Sequence, residues 1–282
     1  MNNVKTVGLL AFMSVLLWLV VYSFGGGYWL GLAFAVGFNL LAYFFSDKLA
    51  LSASRARPVT EAELPQVYAI VRRLALQTNM PMPSIYVIDS QQPNAFATGR
   101  SPKKAAVAVT AGILQLLNND ELEGVLAHEL AHVRNRDILI SSIAAMIAAA
   151  LTMLARMAFW FGGGGNNRDN PLGAIGALLS LIVAPIAAML IRLAISRTRE
   201  FQADETGAET TGRPMMLASA LEKISNGTAR IPMKVNPATA QLFIDNPMKA
   251  LRGGGGMMRL LSTHPPTDER IDRLTKMAQG IR

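Results

Sequence analysis

Two histidines four residues apart, His128 and His132, enclose an acid placed directly after the first, Glu129. On a helix, that spacing projects both imidazoles from one face. Two such nitrogens suit two corners of a tetrahedral zinc site, and Glu129 is rotated away from the ligand positions. Glu129 can reach a water beside the metal, take its proton and later pass one to a leaving amine. The run Ala127-His128-Glu129-Leu130-Ala131-His132 has the H-E-x-x-H spacing of zinc-dependent peptide hydrolysis. Two helical histidines can also be ordinary polar residues. With only three histidines in the chain, a chance match at this spacing is improbable.

A third ligand is required. The metzincin extension would need a histidine where Ile138 stands, which excludes that class. The remaining candidates are Glu200, Asp204, Asp137 and His264. Glu200 and Asp204 are four apart and would share a helix face. One could ligate while the other orients an imidazole through its free ring nitrogen, or both could lie on a solvated face.

The elements that must position these groups are legible nearby. Asn118 with Glu121 predicts a capping box opening the helix that carries the histidines. Leu122, Val125, Leu126, Leu130 and Val133 would form its apolar face. Thr60 with Glu63 predicts another capped helix, with Leu64, Val67, Ile70, Val71 and Leu74 at helical spacing. Short β-type runs follow at Ser84–Ile88 and Ala105–Thr110, around a turn-rich stretch. Asn94 to Thr98 lies between them and is a candidate sheet edge for an extended substrate, although Pro93-Asn94 could simply make a turn. His264 is the histidine outside the motif. It could donate to the oxyanion of a tetrahedral intermediate, braced by Arg270, or serve a structural role before a helix starting near Thr267.

Half the chain is hydrophobic (51%), and 16% is charged. The apolar residues are concentrated in runs. No charge occurs from Thr6 to Ser46, about twice what one bilayer crossing needs, with Gly25–Gly27 near the middle. Two spans, 6–24 and 28–46, are expected. A cleaved signal peptide fits less well, because a second apolar stretch follows at once. A second hairpin is expected over 138–192, interrupted by Arg156, with a glycine-rich loop at Gly162–Gly165. Basic residues cluster at one end of both pairs, so that end and both termini are expected in the cytoplasm. The polar segments 47–137 and 193–282 would meet as one catalytic domain, with a mobile loop near Gly253–Gly256. The net charge of +8 is explained by this membrane asymmetry, and no basic-aromatic motif points to nucleic acid. No cysteine is present, so any metal must use His, Asp or Glu.

The chain resembles the HtpX-type bacterial membrane metalloproteases, which are related to the CAAX prenyl protease and to mitochondrial quality-control proteases. The resemblance covers nearly the whole chain. It rests on Pro93-Asn94-Ala95-Phe96-Ala97-Thr98-Gly99, His128–His132, Ser196 to Asp204, and Thr263-His264-Pro265-Pro266 with Arg270. It implies an integral membrane protein of α+β class, mainly α, with four transmembrane helices and a gluzincin-type catalytic domain carrying a small β-sheet. It implies one Zn2+ per chain on His128, His132 and Glu200, with Asp204 and Arg270 supporting the ligands. Glu129 and His264 would be catalytic, and Asn94, Ala95 and Phe96 would hold substrate. The expected substrates are misfolded or damaged membrane proteins and unfolded proteins, cleaved at the cytoplasmic side of the bacterial inner membrane. Oligomeric state is left open. A non-proteolytic metal-binding scaffold or small transporter is the competing class. A transporter places its polar groups within the spans, whereas here they lie outside them.

Overall fold

The computed structural model describes residues 27–135, 137, 197–233, 240–245 and 265–281, together with 7, 8, 10, 11, 14, 15, 17, 18, 21 and 22. The expected hairpin 138–192, both internal glycine runs (Gly162–Gly165 and Gly253–Gly256) and His264 lie outside the described residues.

The elements run α1 (Gly27–Ala53), β1 (Ala56–Pro58), α2 (Pro65–Gln77), β2 (Ser84–Ile88), β3 (Ala95–Thr98), β4 (Ala106–Thr110), α3 (Ala111–Leu116), α4 (Asn119–Arg134), α5 (Arg197–Thr211), α6 (Pro214–Arg230) and α7 (Thr267–Ala278). The chain is mainly helical with one small mixed sheet, in the order β1-β2-β4-β3. β2 and β4 are parallel, while β1 and β3 lie antiparallel at the two edges.

Side-chain alternation divides the sheet into two faces. Ile85, Val87, Ala95, Ala97, Val107 and Val109 face the helices and join the main core with residues of α2, α4 and α6. Phe96, Ala106 and Ala108 face the other way, onto Ala50, Leu51 and the segment Leu242–Phe243. Every residue of β3 and β4 is buried. That is why β3 shows no polar alternation in the sequence.

The expected cap of α4 is present: the Asn118 side chain accepts from the Glu121 amide, and Glu121 accepts from the Asn118 amide. All five apolar residues assigned to its inner face are buried. Glu121 also accepts from Ser219 and Lys223 of α6, which fixes the start of α4 against that helix. Burial pushes its carboxyl up, but these partners outweigh burial and hold it below the usual value. The cap expected from Thr60 and Glu63 is corrected. Both Thr60 groups donate to Glu63, but they close a turn before α2, which begins at Pro65 after Leu64. Proline fits the first helical position because its missing N–H would have no partner there.

Two glycines set how closely α4 is approached. A Cβ on Gly207 of α5 would meet the His128 backbone nitrogen at 2.8 Å, and one on Gly124 would meet the Leu217 backbone at 3.0 Å. Gly207 lies seven residues after Glu200 and three after Asp204, on the same stripe of α5. Its missing side chain therefore sets how near those two acids come to the histidines.

Among the described residues, no single helix is long and apolar enough to cross a membrane. The two arms of α1, Gly27–Leu41 and Tyr43–Ala53, are together long and apolar enough, and they are bent by 59°. Its apolar side chains are exposed around the helix, among them Trp29, Leu30, Phe34, Val36, Leu40 and Phe44. Asn39 donates to Ser14 and to the Leu10 carbonyl, and Trp18 donates to the Tyr28 carbonyl, so α1 packs on the helical residues before it.

Candidate metal centre

His128 and His132 project from α4 as expected, with ring centroids 4.8 Å apart and nearly perpendicular. Glu200 enters from α5, the helix most closely packed on α4. Its Oε1 lies 3.5 Å from His132 Nε2 and its Oε2 lies 3.9 Å from His128 Nε2. Four ligands at about 2.0–2.2 Å in a tetrahedron hold their donor atoms roughly 3.3–3.6 Å apart. One ligand atom from each of His128, His132 and Glu200 falls within 4.8 Å of the others, so the donor set suits a single cation.

The second nitrogen of each ring has a carboxylate partner. Asp204 Oδ1 is 2.9 Å from His128 Nδ1, and Asp137 Oδ2 is 3.4 Å from His132 Nδ1. A carboxylate on Nδ1 favours the tautomer that leaves Nε2 free as a donor to a metal. Arg270 from α7 closes the first pair through two hydrogen bonds, Nε to Asp204 Oδ2 at 2.8 Å and Nη2 to Asp204 Oδ1 at 2.6 Å. Its Nη2 is also 3.4 and 3.5 Å from the two His128 ring nitrogens.

Electrostatics in this pocket follow from burial and charge. Burial, opposed only in part by Asp204, pushes the His128 imidazole down to about 4. His132 is equally enclosed, but Glu200, Asp137 and Glu129 outweigh the burial and raise it to about 9. Asp204 is pulled down to about 2 because Arg270 outweighs the cost of burial. Burial opposes the Arg270 charge, yet Asp204 and Glu200 hold it above its usual value. Glu200, Asp137 and Glu129 thus supply negative charge around His132, which a bound cation can balance in place of a proton.

Glu129 is 3% exposed, and its Oε2 accepts from the Ala97 amide of β3 at 2.8 Å. That bond ties the acid of the motif to the sheet edge. Thr110 donates its amide to the Asn94 carbonyl. By the antiparallel alternation, Ala95 and Ala97 therefore turn their backbone groups outward.

Asn94, Ala95 and Phe96 lie at that edge, all fully buried. The Asn94 side-chain amide donates to the Asp245 carbonyl at 2.8 Å and its oxygen accepts from the Asp245 amide. Ile244 donates its amide to the Ala95 carbonyl, and Phe96 meets Phe243 edge to face at 5.0 Å. The segment 240–245 thus runs beside β3. Thr228 of α6 anchors it by donating to Asp245.

Of the residues singled out in the sequence, the structure gathers His128, Glu129, His132, Glu200, Asp204 and Arg270 into one buried cluster. Asp137, a candidate ligand in the sequence, meets Nδ1 of His132, and Ala97 of the candidate edge Asn94 to Thr98 contributes through its backbone amide, whereas the segment 240–245 carried no sequence signal.

The pattern of peptidase family M48 matches residues 61–278. A protease HtpX homolog of Thermodesulfovibrio yellowstonii is 51% identical, covering 99% of both chains. The protease HtpX homolog of Thermococcus sibiricus is 50% identical, covering 98% of this chain and 96% of its own. The crystal structure of S. mikatae Ste24p superposes with a TM-score of 0.51 at 20% identity, covering 97% of this chain and 65% of that one, a likeness of fold. The chain belongs to peptidase family M48, and is an HtpX-like metallopeptidase.

Proposed function

We propose that this protein is a membrane-embedded zinc endopeptidase with one Zn2+ per chain, held by Nε2 of His128, Nε2 of His132 and the carboxylate of Glu200. The observation that carries this reading is the convergence of those three side chains from two helices, with Glu129 buried beside them. Two imidazoles and a carboxylate, with no thiolate in the chain, form a donor set that suits zinc. Zinc in that pocket would polarise the scissile carbonyl and ease deprotonation of the attacking water.

Glu129 accepts that water's proton as the new C–O bond forms. It returns a proton to the amide nitrogen as the C–N bond breaks. Asp204 and Arg270 hold the His128 ring. Asn94, Ala95 and Phe96 are assigned to substrate, which would take the place of the segment 240–245 beside β3: the Ala95 carbonyl and the Asn94 side-chain amide, now bonded to Ile244 and Asp245, would then serve the substrate backbone. His264 keeps its assignment as oxyanion donor. Purified protein in detergent is expected to bind about one zinc and to cleave casein, with His128→Ala and Glu200→Gln losing both. Cleavage by metal-free protein, or full zinc content in both variants, would refute the metal reading.

The four apolar stretches are assigned to the bilayer, with the catalytic domain and both termini cytoplasmic and with misfolded membrane proteins and unfolded proteins as substrates. Two features support this: the outward apolar side chains of α1 and the basic residues at the ends of the stretches. Because the chain has no cysteine, single introduced cysteines report topology cleanly. Gly26→Cys and Asn167→Cys should react with an impermeant thiol reagent from outside, and Arg57→Cys and Met257→Cys only after the membrane is opened. Outside labelling of Arg57→Cys would reverse the orientation, and protection of Asn167→Cys from outside would remove the second hairpin from the membrane.

A further inference from the structure

Two carboxylate-to-histidine contacts support the metal pocket, and each carboxylate is backed by a buried arginine. Arg270, Asp204 and His128 form a buried chain of contacts in which a guanidinium fixes an acid and the acid fixes a ring nitrogen. A second chain of the same order lies across the pocket. Arg199 Nη1 is 3.7 Å from Asp137 Oδ1, and Asp137 Oδ2 is 3.4 Å from His132 Nδ1. Both outer residues are buried, Asp137 at 4% and Arg199 at 9% exposure. None of the three Arg199 guanidinium nitrogens has a hydrogen bond among the described residues. A buried guanidinium needs a nearby negative charge, and Asp137 supplies it.

Place in the chain gives this pair a further consequence. Asp137 directly precedes the apolar stretch that starts at Ile138, and Arg199 follows the return of the chain and directly precedes Glu200. The pair joins the exit and re-entry points of that long insertion within a few ångströms of two metal ligands.

We propose that Asp137 is a positioning residue for His132, that Arg199 fixes Asp137, and that the pair ties both ends of the 138–196 insertion to the metal pocket. The proposal rests on the metal reading above. Asp137 holds the His132 ring with Nε2 toward Glu200, as Asp204 does for His128. Loss of a carboxylate that supports a ligating histidine typically weakens metal affinity about 10–100-fold. The two residues act in series, so removing both should weaken binding little more than removing Asp137 alone. Independent structural contributions would instead multiply.

The test is chelator competition for zinc on the full chain in detergent, with cobalt(II) absorption as a report on ligand geometry. Wild type, Asp137→Asn, Arg199→Met and the double variant are compared. Glu123→Gln is the control, because it lies on the same helix as His132 but breaks an ion pair with Arg73 of α2, away from the pocket. Asp137→Asn is expected to raise the zinc dissociation constant about 10–100-fold. Its cobalt bands should shift, Arg199→Met should weaken binding less, and the double variant should match Asp137→Asn. Glu123→Gln should bind as wild type does. If Asp137→Asn does not fold, Asp137→Glu and Arg199→Lys keep the charges while changing the geometry, and each should weaken zinc several-fold with shifted cobalt bands. Wild-type affinity in Asp137→Asn, or in both charge-preserving variants, overturns the proposal, as do multiplicative losses in the double variant. Failure of the wild type to bind zinc overturns the metal reading itself and this proposal with it.

Discussion

Glu129→Gln is expected to keep its metal and to lose about 10²–10⁴-fold in kcat/KM, the usual contribution of a positioned general base. The substitution preserves shape. The side-chain oxygen that now accepts from the Ala97 amide can still do so as an amide oxygen, and the three proposed ligands are untouched. What disappears is a group able to take a proton. Among the described residues, the other carboxylates of the cluster are engaged elsewhere. Glu200 faces both histidines, Asp204 is engaged by Arg270 and His128, and Asp137 pairs with Arg199 and His132. Zinc stoichiometry and casein cleavage, measured on one preparation, decide the matter. Near-normal cleavage by Glu129→Gln would assign the proton transfer elsewhere. Loss of metal together with activity would mean that Glu129 belongs to the ligand set.

The histidine pair and its helix were legible in the sequence because helix signals are local. A capping box spans three residues and an apolar stripe repeats every three or four, so both can be read without knowing the fold. Glu200 was harder, because it lies 68 residues beyond His132 in sequence and three other residues, Asp204, Asp137 and His264, could equally supply a ligand. The structure brings Glu200 next to the histidines through the close approach at Gly207, a packing feature that spacing alone does not reveal. β1 was missed because three residues, one of them a proline, give no periodic signal. The Thr60–Glu63 pair has the right spacing for a cap but closes a turn, since Pro65 defines the start of α2. Asn94 shows the limit most clearly. Its side chain meets Asp245, 151 residues away in sequence, and no local pattern encodes such a contact.

Arg270→Met is expected to destabilise the fold by about 3–5 kcal/mol, the usual cost of leaving one member of a buried ion pair without its partner. Arg270 and Asp204 are both almost fully buried, at 2% and 3% exposure, and are joined by two short hydrogen bonds. Methionine approximates the arginine stem and leaves Asp204 without its cation. The double variant Arg270→Met with Asp204→Asn should be more stable than Arg270→Met alone, because the stranded charge is then gone. Arg273, on the same helix, provides the contrast. Its pairing with Glu269 is exposed, so removing that pair should cost no more than about 1 kcal/mol. For this comparison Glu269→Gln is the better variant, because Arg273 also stacks on Phe201 at 3.6 Å. Thermal midpoints of the metal-free proteins in one detergent measure the stability differences independently of ligand binding. Zinc affinity then reports the second consequence, because Asp204 without its guanidinium fixes the His128 ring less firmly and binding should weaken. A midpoint for Arg270→Met equal to that of Glu269→Gln would show that the buried pair does not hold α7 to α5. A double variant less stable than Arg270→Met would show that Asp204 finds another cation in the pocket.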